Sequence, residues 1–229
     1  MFEMRADPRD TKQRVVAAAS ALFAERGFHG TTARDIAQRA AVNLAAGHYH
    51  FGSKETLYLE VLRVHFADVM AELEQRGARL TAGRARPGRA ALRELLRTRI
   101  AAMLELLLGP PPGLHGTLMM REMCDPSAAL PHIVDQFIQP HKRELEEIVA
   151  TLLPRLGRED VERCVFSIVG QVFFYRQMLP ALRLMIGRRE LTRPWLRATA
   201  EHITEFSLGG MQHIAARGRR PRRGAAGTR

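Results

Sequence analysis

Residues 42–57 read VNLAAGHYHFGSKETL, and this stretch decides how the N-terminal part of the chain folds. It holds His48 and His50 with Tyr49 between them, and Lys54 follows a Gly-Ser pair. Two histidines this close together suggest a metal site. On a helix, however, side chains two positions apart point about 200° away from each other, so these rings cannot share a ligand cavity. Because zinc needs a pair three or four residues apart together with further ligands, we expect no metal here.

The same stretch does not support covalent catalysis. Ser53 follows a predicted helix, whereas a nucleophilic serine of the elbow type lies between a strand and a helix. Elsewhere the sequence has no recognisable nucleophile–base pair, metal cluster or phosphate-binding loop, so we expect neither an enzyme nor a cofactor. An all-α hydrolase or transferase in the C-terminal part is the alternative, which turnover of a candidate ligand would reveal. For the stretch itself two interpretations remain: histidines that are merely exposed, or a helix that faces DNA.

Helix signals on the N-terminal side of the stretch predict two helices. The first is expected to begin after an N-cap at Asp10 and to stop at Gly27 in a left-handed C-cap, with Phe28 making the accompanying hydrophobic contact. The second is expected to start after Thr32, with Asp35 at its third helical position.

Two more helices are predicted within and after the stretch. The side chain of Asn43 caps a third short helix, 44 to about 50, which Phe51 and Gly52 end. Ser53 then caps a fourth helix. Three short helices, the second and third joined by a tight turn, are the pattern of a helix-turn-helix.

The exposed face of the third helix predicts contacts with DNA. Four side chains on it are positioned to reach base edges: Asn43, Leu44, Ala45 and His48. A short alanine lets the helix enter the major groove, and its methyl group can contact that of thymine. Tyr49 and His50 are expected near the DNA backbone. Lys54, in the first turn of the next helix, can meet a phosphate.

The net charge of +11 is weak evidence for nucleic-acid binding by itself, because 32 of the 35 basic residues are arginine and such a bias can reflect genome composition. Its distribution says more. Residues 217–229 hold six arginines and no acid, whereas residues 1–56 carry a net charge of only +2. We therefore expect the N-terminal part to bind DNA through shape and placed contacts, with the basic tail as an extra anchor.

Residues 17–62, AAASALFAERGFHGTTARDIAQRAAVNLAAGHYHFGSKETLYLEVL, resemble the DNA-binding domain of the TetR/AcrR family of transcriptional regulators. Three motifs carry the resemblance: F-x-E-x-G-F, T-T-x-x-D-I-A and Y-H-F-G-S-K-E-x-L. The resemblance implies an all-helical homodimer whose larger C-terminal domain binds a small molecule and releases DNA. It also implies phosphate contacts for five residues: Thr32, Arg34, Tyr49, His50 and Lys54. The family usually has glycine where this chain has Ala41, so a non-glycine residue must adopt that turn geometry.

The C-terminal part is predicted to be helical throughout. We expect helices at 90–108, from about Ser127 to Leu153 with a kink at Pro140, and from Pro194 to about Ala216. An apolar run at 165–186 is interrupted by Pro180. This run and the helix after Pro194 are the expected dimer faces, packed as a four-helix bundle. The segments 118–145 and 165–180 are similar to a subgroup of these regulators with its own type of C-terminal domain.

Polar residues within these apolar runs are candidates for binding an effector, although each is equally compatible with a satisfied interior group. Methionines at helical spacing can line an adaptable pocket, but simple core packing is the better interpretation of such a stripe. The candidate effector-binding residues are His115, Met119, Glu122, Met123, Gln171, Phe174 and Arg176.

These observations predict an all-α protein: a helix-turn-helix domain at 1–56, a larger helical ligand-binding and dimerisation domain at 57–216, and a disordered basic tail at 217–229. No apolar stretch is long enough for a membrane span, and the two cysteines fit a reduced, cytoplasmic protein. The predicted function is a ligand-responsive regulator, most simply a repressor, that binds a double-stranded operator as a homodimer. A constitutive architectural DNA-binding protein is the alternative.

Overall fold

The computed structural model describes residues 8–43, 45, 51–75, 87–108, 114–187 and 191–217. Within these ranges the regular structure is entirely helical, as predicted, and no helix is long and apolar enough to cross a membrane. The helices are α1 (Pro8–Arg26), α2 (Ala33–Arg39), α3 (Lys54–Gln75), α4 (Arg89–Leu108), α5 (Leu114–Cys124), α6 (Leu130–Ile133), a π-helix (Val134–Ile138), α7 (Gln139–Leu152), α8 (Arg158–Gln177), α9 (Leu179–Met185) and α10 (Arg193–Arg217).

The chain divides into two compact units, the first of residues 1–72 with 106–138 and the second of 73–105 with 139–229. This division does not follow the predicted boundary at residue 56. The reason is that α3 and α5 share one hydrophobic core with α1 and α2. Tyr58 and Val61 of α3 and Leu118 of α5 are buried in the same cluster as Leu22 and Phe23 of α1.

The start of α1 differs from the prediction, whereas its end agrees with it. The helix starts at Pro8, whose missing N–H costs nothing in a first turn, so Asp10 lies inside that turn and not at the N-cap. The C-terminal prediction is confirmed. Gly27 has a φ of 75°, and its N–H donates to the carbonyl of Phe23 at 2.9 Å. Phe28 is buried and its ring stacks on that of Phe23, 6.0 Å between centroids.

The predicted caps of α2 and α3 are confirmed. The Thr32 hydroxyl oxygen accepts the N–H of Asp35 at 3.1 Å, and the Asp35 carboxylate accepts the hydroxyl and the backbone N–H of Thr32 at 2.6 and 3.0 Å. The hydroxyl bond first, and then the backbone bond, hold the pKa of Asp35 below its ordinary value. At the start of α3, the Ser53 hydroxyl accepts the N–H of Thr56 at 3.1 Å.

The turn after α2 is a Schellman motif with an alanine in the left-handed position. Ala41 has a φ of 52°, the geometry expected from its place in the family pattern. Its N–H donates to the carbonyl of Gln38 at 3.2 Å, and the N–H of Val42 donates to the carbonyl of Ala37 at 3.0 Å. An L-residue in this region costs about 1 kcal/mol relative to glycine.

A guanidinium from α1 supports this strained turn. Arg14 Nη2 donates to the carbonyl oxygens of Ala40 at 2.5 Å and Ala41 at 2.7 Å. These carbonyls lie at the C-terminal end of α2, where the helix has no intrahelical donors left and the dipole favours a cation. The position of the turn is therefore set from two sides, by its own backbone and by α1.

The helix predicted from about Ser127 to Leu153 with a kink at Pro140 is confirmed in part, because helical structure runs from Leu130 to Leu152 and departs from a regular α-helix before Pro140. Pro140 has no N–H and its ring clashes with the carbonyl four residues earlier, so a regular α-helix cannot continue through it. The π-helix ends at Ile138, so that Pro140 lies in the first turn of α7, where its missing N–H is tolerated. Helical structure also begins later than predicted, at Leu130, because the N–H and hydroxyl of Ser127 are bonded to the Glu122 carboxylate.

The second unit contains most of α4 together with α7 to α10. The helices predicted at 90–108 and from Pro194 to about residue 216 are confirmed to within one residue. Arg99 of α4 is 2% exposed, and it forms an ion pair with Glu144 and lies 3.0 Å from His141 Nδ1, both on α7. Cys124 in the first unit and Cys164 in the second are free thiols.

Replacing Ala41 with glycine is expected to stabilise the protein. Glycine removes the left-handed strain without touching the hydrogen bonds of the turn, so we expect a gain of about 1 kcal/mol, or roughly 2–4 °C in Tm. Ala17→Gly is the matched control. Ala17 is exposed inside α1, where glycine should lower Tm by a similar amount. Differential scanning calorimetry of both variants checks the pair, and a lower Tm for Ala41→Gly would contradict the role given to the turn.

Candidate nucleic-acid interface

Part of the predicted DNA-facing surface lies in the described structure. Asn43 and Ala45, which are predicted to face bases, are exposed after the turn. Four further predicted contacts lie outside the described residues: Leu44, His48, Tyr49 and His50. The described part of the candidate interface consists of α2, the turn and the first turn of α3.

The two predicted phosphate contacts at the start of α2 differ in whether their hydrogen-bond donors are already used within the protein. Arg34 is exposed and, within the described part of the chain, has no hydrogen-bond or ion-pair partner, so all its donors are available. Thr32 is exposed too, but its hydroxyl and backbone N–H both donate to Asp35. Donating to a phosphate would require Thr32 to release part of this capping box. Arg34 is thus the better-placed phosphate ligand of the two.

Lys54 has a structural role that the sequence did not reveal. Its ammonium donates to the carbonyls of Phe28 at 3.0 Å and Thr31 at 3.1 Å and lies 4.1 Å from the centroid of the Phe28 ring. An ammonium has three donors, so one remains for a phosphate. Lys54 therefore ties the loop between α1 and α2 to the first turn of α3 and can still serve as the predicted DNA contact.

The loop that Lys54 holds leaves little room for side chains. A Cβ on Gly30 would lie 2.5 Å from the carbonyl oxygen of Arg26, closer than real contacts allow. The hydroxyl of the buried Thr31 donates to the carbonyl of Gly27 at 2.8 Å. This compact loop places the start of α2 next to that of α3.

Two adjacent residues of α5 fasten it to the helices that build the interface. Arg121 Nε donates to the carbonyl of Ala24 at 2.6 Å and its Nη2 donates to that of Glu25, at the end of α1. Glu122 is 1% exposed and accepts the hydroxyl of Tyr58 on α3 at 2.8 Å. Burial and then this carboxylate raise the pKa of the Tyr58 phenol, so it stays protonated and donating. The sequence does not indicate these partners, because they lie 64 to 97 residues away along the chain.

The predicted effector-binding residues are divided between the two units. Met119, Glu122 and Met123 lie on α5 in the first unit, where Glu122 is bonded to protein groups and Met119 packs against the core. Gln171, Phe174 and Arg176 lie on α8 in the second unit. Gln171 donates to the hydroxyl of Ser207 at 3.1 Å, Phe174 is exposed, and Arg176 has a pKa lowered by burial and by the nearby Arg183. The side chain of His115 lies outside the described residues.

Two family models match the chain. Residues 15–61 match the model of bacterial regulatory proteins of the tetR family, and residues 92–211 match that of the C-terminal domain of the HTH-type transcriptional dual regulator CecR. The chain therefore belongs to the TetR family of transcriptional regulators. Its C-terminal part is of the CecR type. Proteins of this family are regulators and not enzymes; they bind DNA as dimers and often bind a small-molecule effector.

Relatives match over parts of the chain. The HTH-type transcriptional dual regulator CecR of Shigella flexneri is 36% identical over 143 residues, which is 61% of this chain and 63% of that protein. The chain thus matches less than two thirds of that relative's length. The transcriptional activator FasR of Mycolicibacterium smegmatis is 38% identical over 69 residues, 30% of this chain and 32% of the relative. The repressor KstR2 of Mycobacterium tuberculosis is 49% identical over 45 residues, 20% of this chain and 22% of the relative.

Solved structures support the fold over nearly the whole chain. A TetR-like transcriptional regulator from Rhodococcus sp. RHA1 superposes with a TM-score of 0.58 at 23% identity, covering 88% of this chain and 96% of the other. The hemolysin II transcriptional regulator HlyIIR gives a TM-score of 0.57 at 22% identity, covering 86% and 99%. At this level of identity the likeness concerns the fold alone.

Lys54→Met separates the two roles of this lysine. Methionine keeps the apolar stem over Phe28 but removes the ammonium, so we expect a loss of about 1–2 kcal/mol of stability. Affinity for every DNA sequence should fall, and the slope of log affinity against log salt should become shallower by about 1. Thermal melts and fluorescence anisotropy at several salt concentrations measure the two effects.

The control for Lys54→Met is Arg63→Gln, which removes another α3 cation, paired with Glu60, and should leave the DNA salt slope unchanged. A Lys54→Met protein that loses stability but keeps the wild-type salt slope would mean that Lys54 makes no phosphate contact.

Proposed function

We propose that this protein is a ligand-responsive transcriptional repressor that binds a pseudo-palindromic operator as a homodimer and is released by a small molecule. The observation that carries the proposal is the exposed series Arg34, Asn43 and Ala45, which lies on both sides of a turn held by backbone bonds and by Arg14. The unpaired guanidinium supplies a backbone contact that sets register, and the two residues after the turn supply base contacts.

A homodimer is supported by two apolar stripes on the second unit. On α8, Phe166 and Phe174 are 57% and 54% exposed, with Gly170 midway between them. On α10, Phe206 is 67% exposed, and Gly210 follows four residues later. Residues four apart lie on the same helix face, so each stripe presents aromatic bulk beside a small gap.

The glycines in these stripes have no explanation within one protomer. Glycine inside a helix costs about 1 kcal/mol relative to alanine. A Cβ added to Gly170 or Gly210 would meet nothing within 4 Å, so the protomer itself does not require either glycine. A second copy of the chain packed against α8 and α10 would explain both the exposed aromatic rings and the glycines. It would cover the rings, and the glycines would let the helices of the two protomers approach closely.

Response to an effector requires that a structural change where the effector binds alters the positions of the helices that face DNA. The anchoring of α5 provides such a connection. Arg121 holds the end of α1 and Glu122 holds α3, so a shift of α5 must either move both helices or take the Tyr58 hydroxyl away from a buried carboxylate. An effector that favours a different position of α5 would thereby disfavour the arrangement that fits DNA.

The direction of regulation is part of the proposal. The relatives' names include a dual regulator, an activator and repressors. Repression is the simplest outcome for a dimer that occupies an operator and leaves it when an effector binds. The same DNA-binding geometry serves activation if the operator lies upstream of a promoter.

Selection of bound genomic fragments by the purified protein tests the proposal. We expect enrichment of a pseudo-palindrome with half-sites about 10 bp apart, or more widely spaced if two dimers bind. Arg34→Ala should weaken binding to all sequences and make the salt slope shallower by about 1, whereas His48→Ala should change the preferred sequence. Arg39→Ala is the matched control, because Arg39 lies on the same helix but is already paired with Glu25. Enrichment of no particular sequence would favour the architectural alternative.

Phe206→Glu is expected to convert the dimer into a monomer. The substitution places a carboxylate in the centre of the proposed interface, where burial without a partner is costly, so the dimer dissociation constant should rise at least a hundredfold, about 3 kcal/mol. Gln212→Glu on the same helix is the control and should remain dimeric. Sedimentation velocity measures both variants, and circular dichroism verifies their helicity. A Phe206→Glu protein that stays dimeric would place the interface elsewhere.

A further inference from the structure

A groove crosses the second unit where the start of α4, the end of α7 and the last turns of α10 meet. It consists of two cavities of about 410 and 390 Å³ that share Arg89, Leu152 and Gln212. Each cavity has the size of a small-molecule site. None of the groove residues belongs to the predicted effector-binding set or to the DNA-facing surface.

One part of the groove lining consists of leucines and small side chains, beside the charged and polar residues Arg89, Arg93, Glu205 and Gln212. Leu152 and Leu208 are buried, and Ala90, Ala215 and Gly209 line the groove between the bulkier residues. A Cβ added to Gly209 would meet no atom within 4 Å, so the space above it is open. This apolar part of the lining favours an apolar ligand body, because burying apolar surface is favourable.

The edge of the groove is positively charged. Arg89 and Arg155 are exposed and, in the part of the chain that the structure describes, neither has a hydrogen-bond or ion-pair partner. Arg93 beside them is different, since Glu201 and Glu205 neutralise it. Two arginines with free donors at the edge of an apolar groove are complementary to a ligand that is anionic at one end.

The groove is separate from the proposed dimer face. Successive residues of an α-helix point about 100° apart, so Gln212 points about 120° away from Phe206 around the axis of α10. Glu205, which also lines the groove, points about 100° away from Phe206. A dimer formed through the Phe206 stripe would leave Glu205 and Gln212 uncovered.

We propose that this groove binds an anionic amphiphile, a small molecule with a single carboxylate or phosphate head and a linear apolar body. The head is held by the guanidinium groups of Arg89 and Arg155, and the body lies along Leu152 and Leu208. The site goes beyond the proposed function, because it does not require DNA binding or the release of DNA.

Isothermal titration calorimetry of the full chain with three ten-carbon probes tests the proposal: decanoate, decyl phosphate and decanol, each below its micelle concentration. We expect one or both anions to bind at least tenfold more tightly than decanol, and their order identifies the head group as a carboxylate or a phosphate. The double variant Arg89→Gln, Arg155→Gln should lose at least tenfold in affinity for the anions. Gly209→Leu should abolish binding by filling the lining, while circular dichroism shows the helices intact.

The matched control is Arg158→Gln, which removes an exposed arginine of the same unit outside the groove and should bind the anionic probes like the wild type. Three results would overturn the proposal: equal affinity for decanol, unchanged affinity in the double variant, or equally tight binding of acetate or inorganic phosphate. Binding of an acidic amphipathic peptide with no binding of decanoate or decyl phosphate would also overturn it, in favour of a protein partner. Anisotropy with DNA, run in parallel, keeps this outcome separate from failure of the proposed regulatory function.

Discussion

The buried carboxylate of Glu122 is the constraint around which the first unit is built. At 1% exposure, an ionised carboxylate is tolerated only if hydrogen-bond donors replace the water it has lost. One donor is the Tyr58 hydroxyl of α3, and two more are the N–H and hydroxyl of Ser127, directly after α5. Separating α5 from α3 would remove the Tyr58 donor and leave this charge with the donors of Ser127 alone. The requirement explains why α5, far along the chain, belongs to the same compact unit as the helix-turn-helix elements.

Two arginines from neighbouring helices bind the C-terminal carbonyls of α1 and α2 and so help to hold the first unit together. Arg121 binds the last carbonyls of α1, and Arg14 binds those of α2 and of the turn that follows. Both guanidiniums lie where helix carbonyls lack intrahelical donors and the dipole is negative. Because Arg14 stabilises the turn from outside, the chain can keep Ala41 in a left-handed conformation that glycine would adopt without strain. The geometry before the residues predicted to face DNA thus depends on tertiary contacts as much as on the turn itself.

Local signals predicted the helices well, because caps and breakers act within a few residues. The Thr32–Asp35 capping box, the left-handed Gly27 and the end of α4 are of this kind. The start of α1 was mispredicted because Asp10 has the properties of an N-cap but Pro8 can begin a helix two residues earlier.

The site was predicted less completely, since its supports join distant positions. Arg14 and Ala40 are 26 residues apart and Arg121 and Ala24 are 97 apart, and a single sequence does not indicate such pairs. Glu122 illustrates the limit. A polar residue in an apolar run indicates a partner, but the pattern does not say whether that partner is a ligand or, as for this carboxylate, the protein's own hydroxyl and amide groups.

The way the first unit can bind DNA depends on which of its basic side chains are already paired within the protein. Most described cations there are already engaged with carboxylates or carbonyls: Lys12, Arg14, Arg39, Lys54, Arg63 and Arg121. A cation paired in the protein contributes little to long-range attraction for phosphate, and residues 1–56 have a net charge of only +2. Arg34 is different because its donors are free and exposed at the start of α2. Binding that rests on a few placed contacts and not on a broad basic surface discriminates well between sequences, because a misplaced register forfeits a large share of the total.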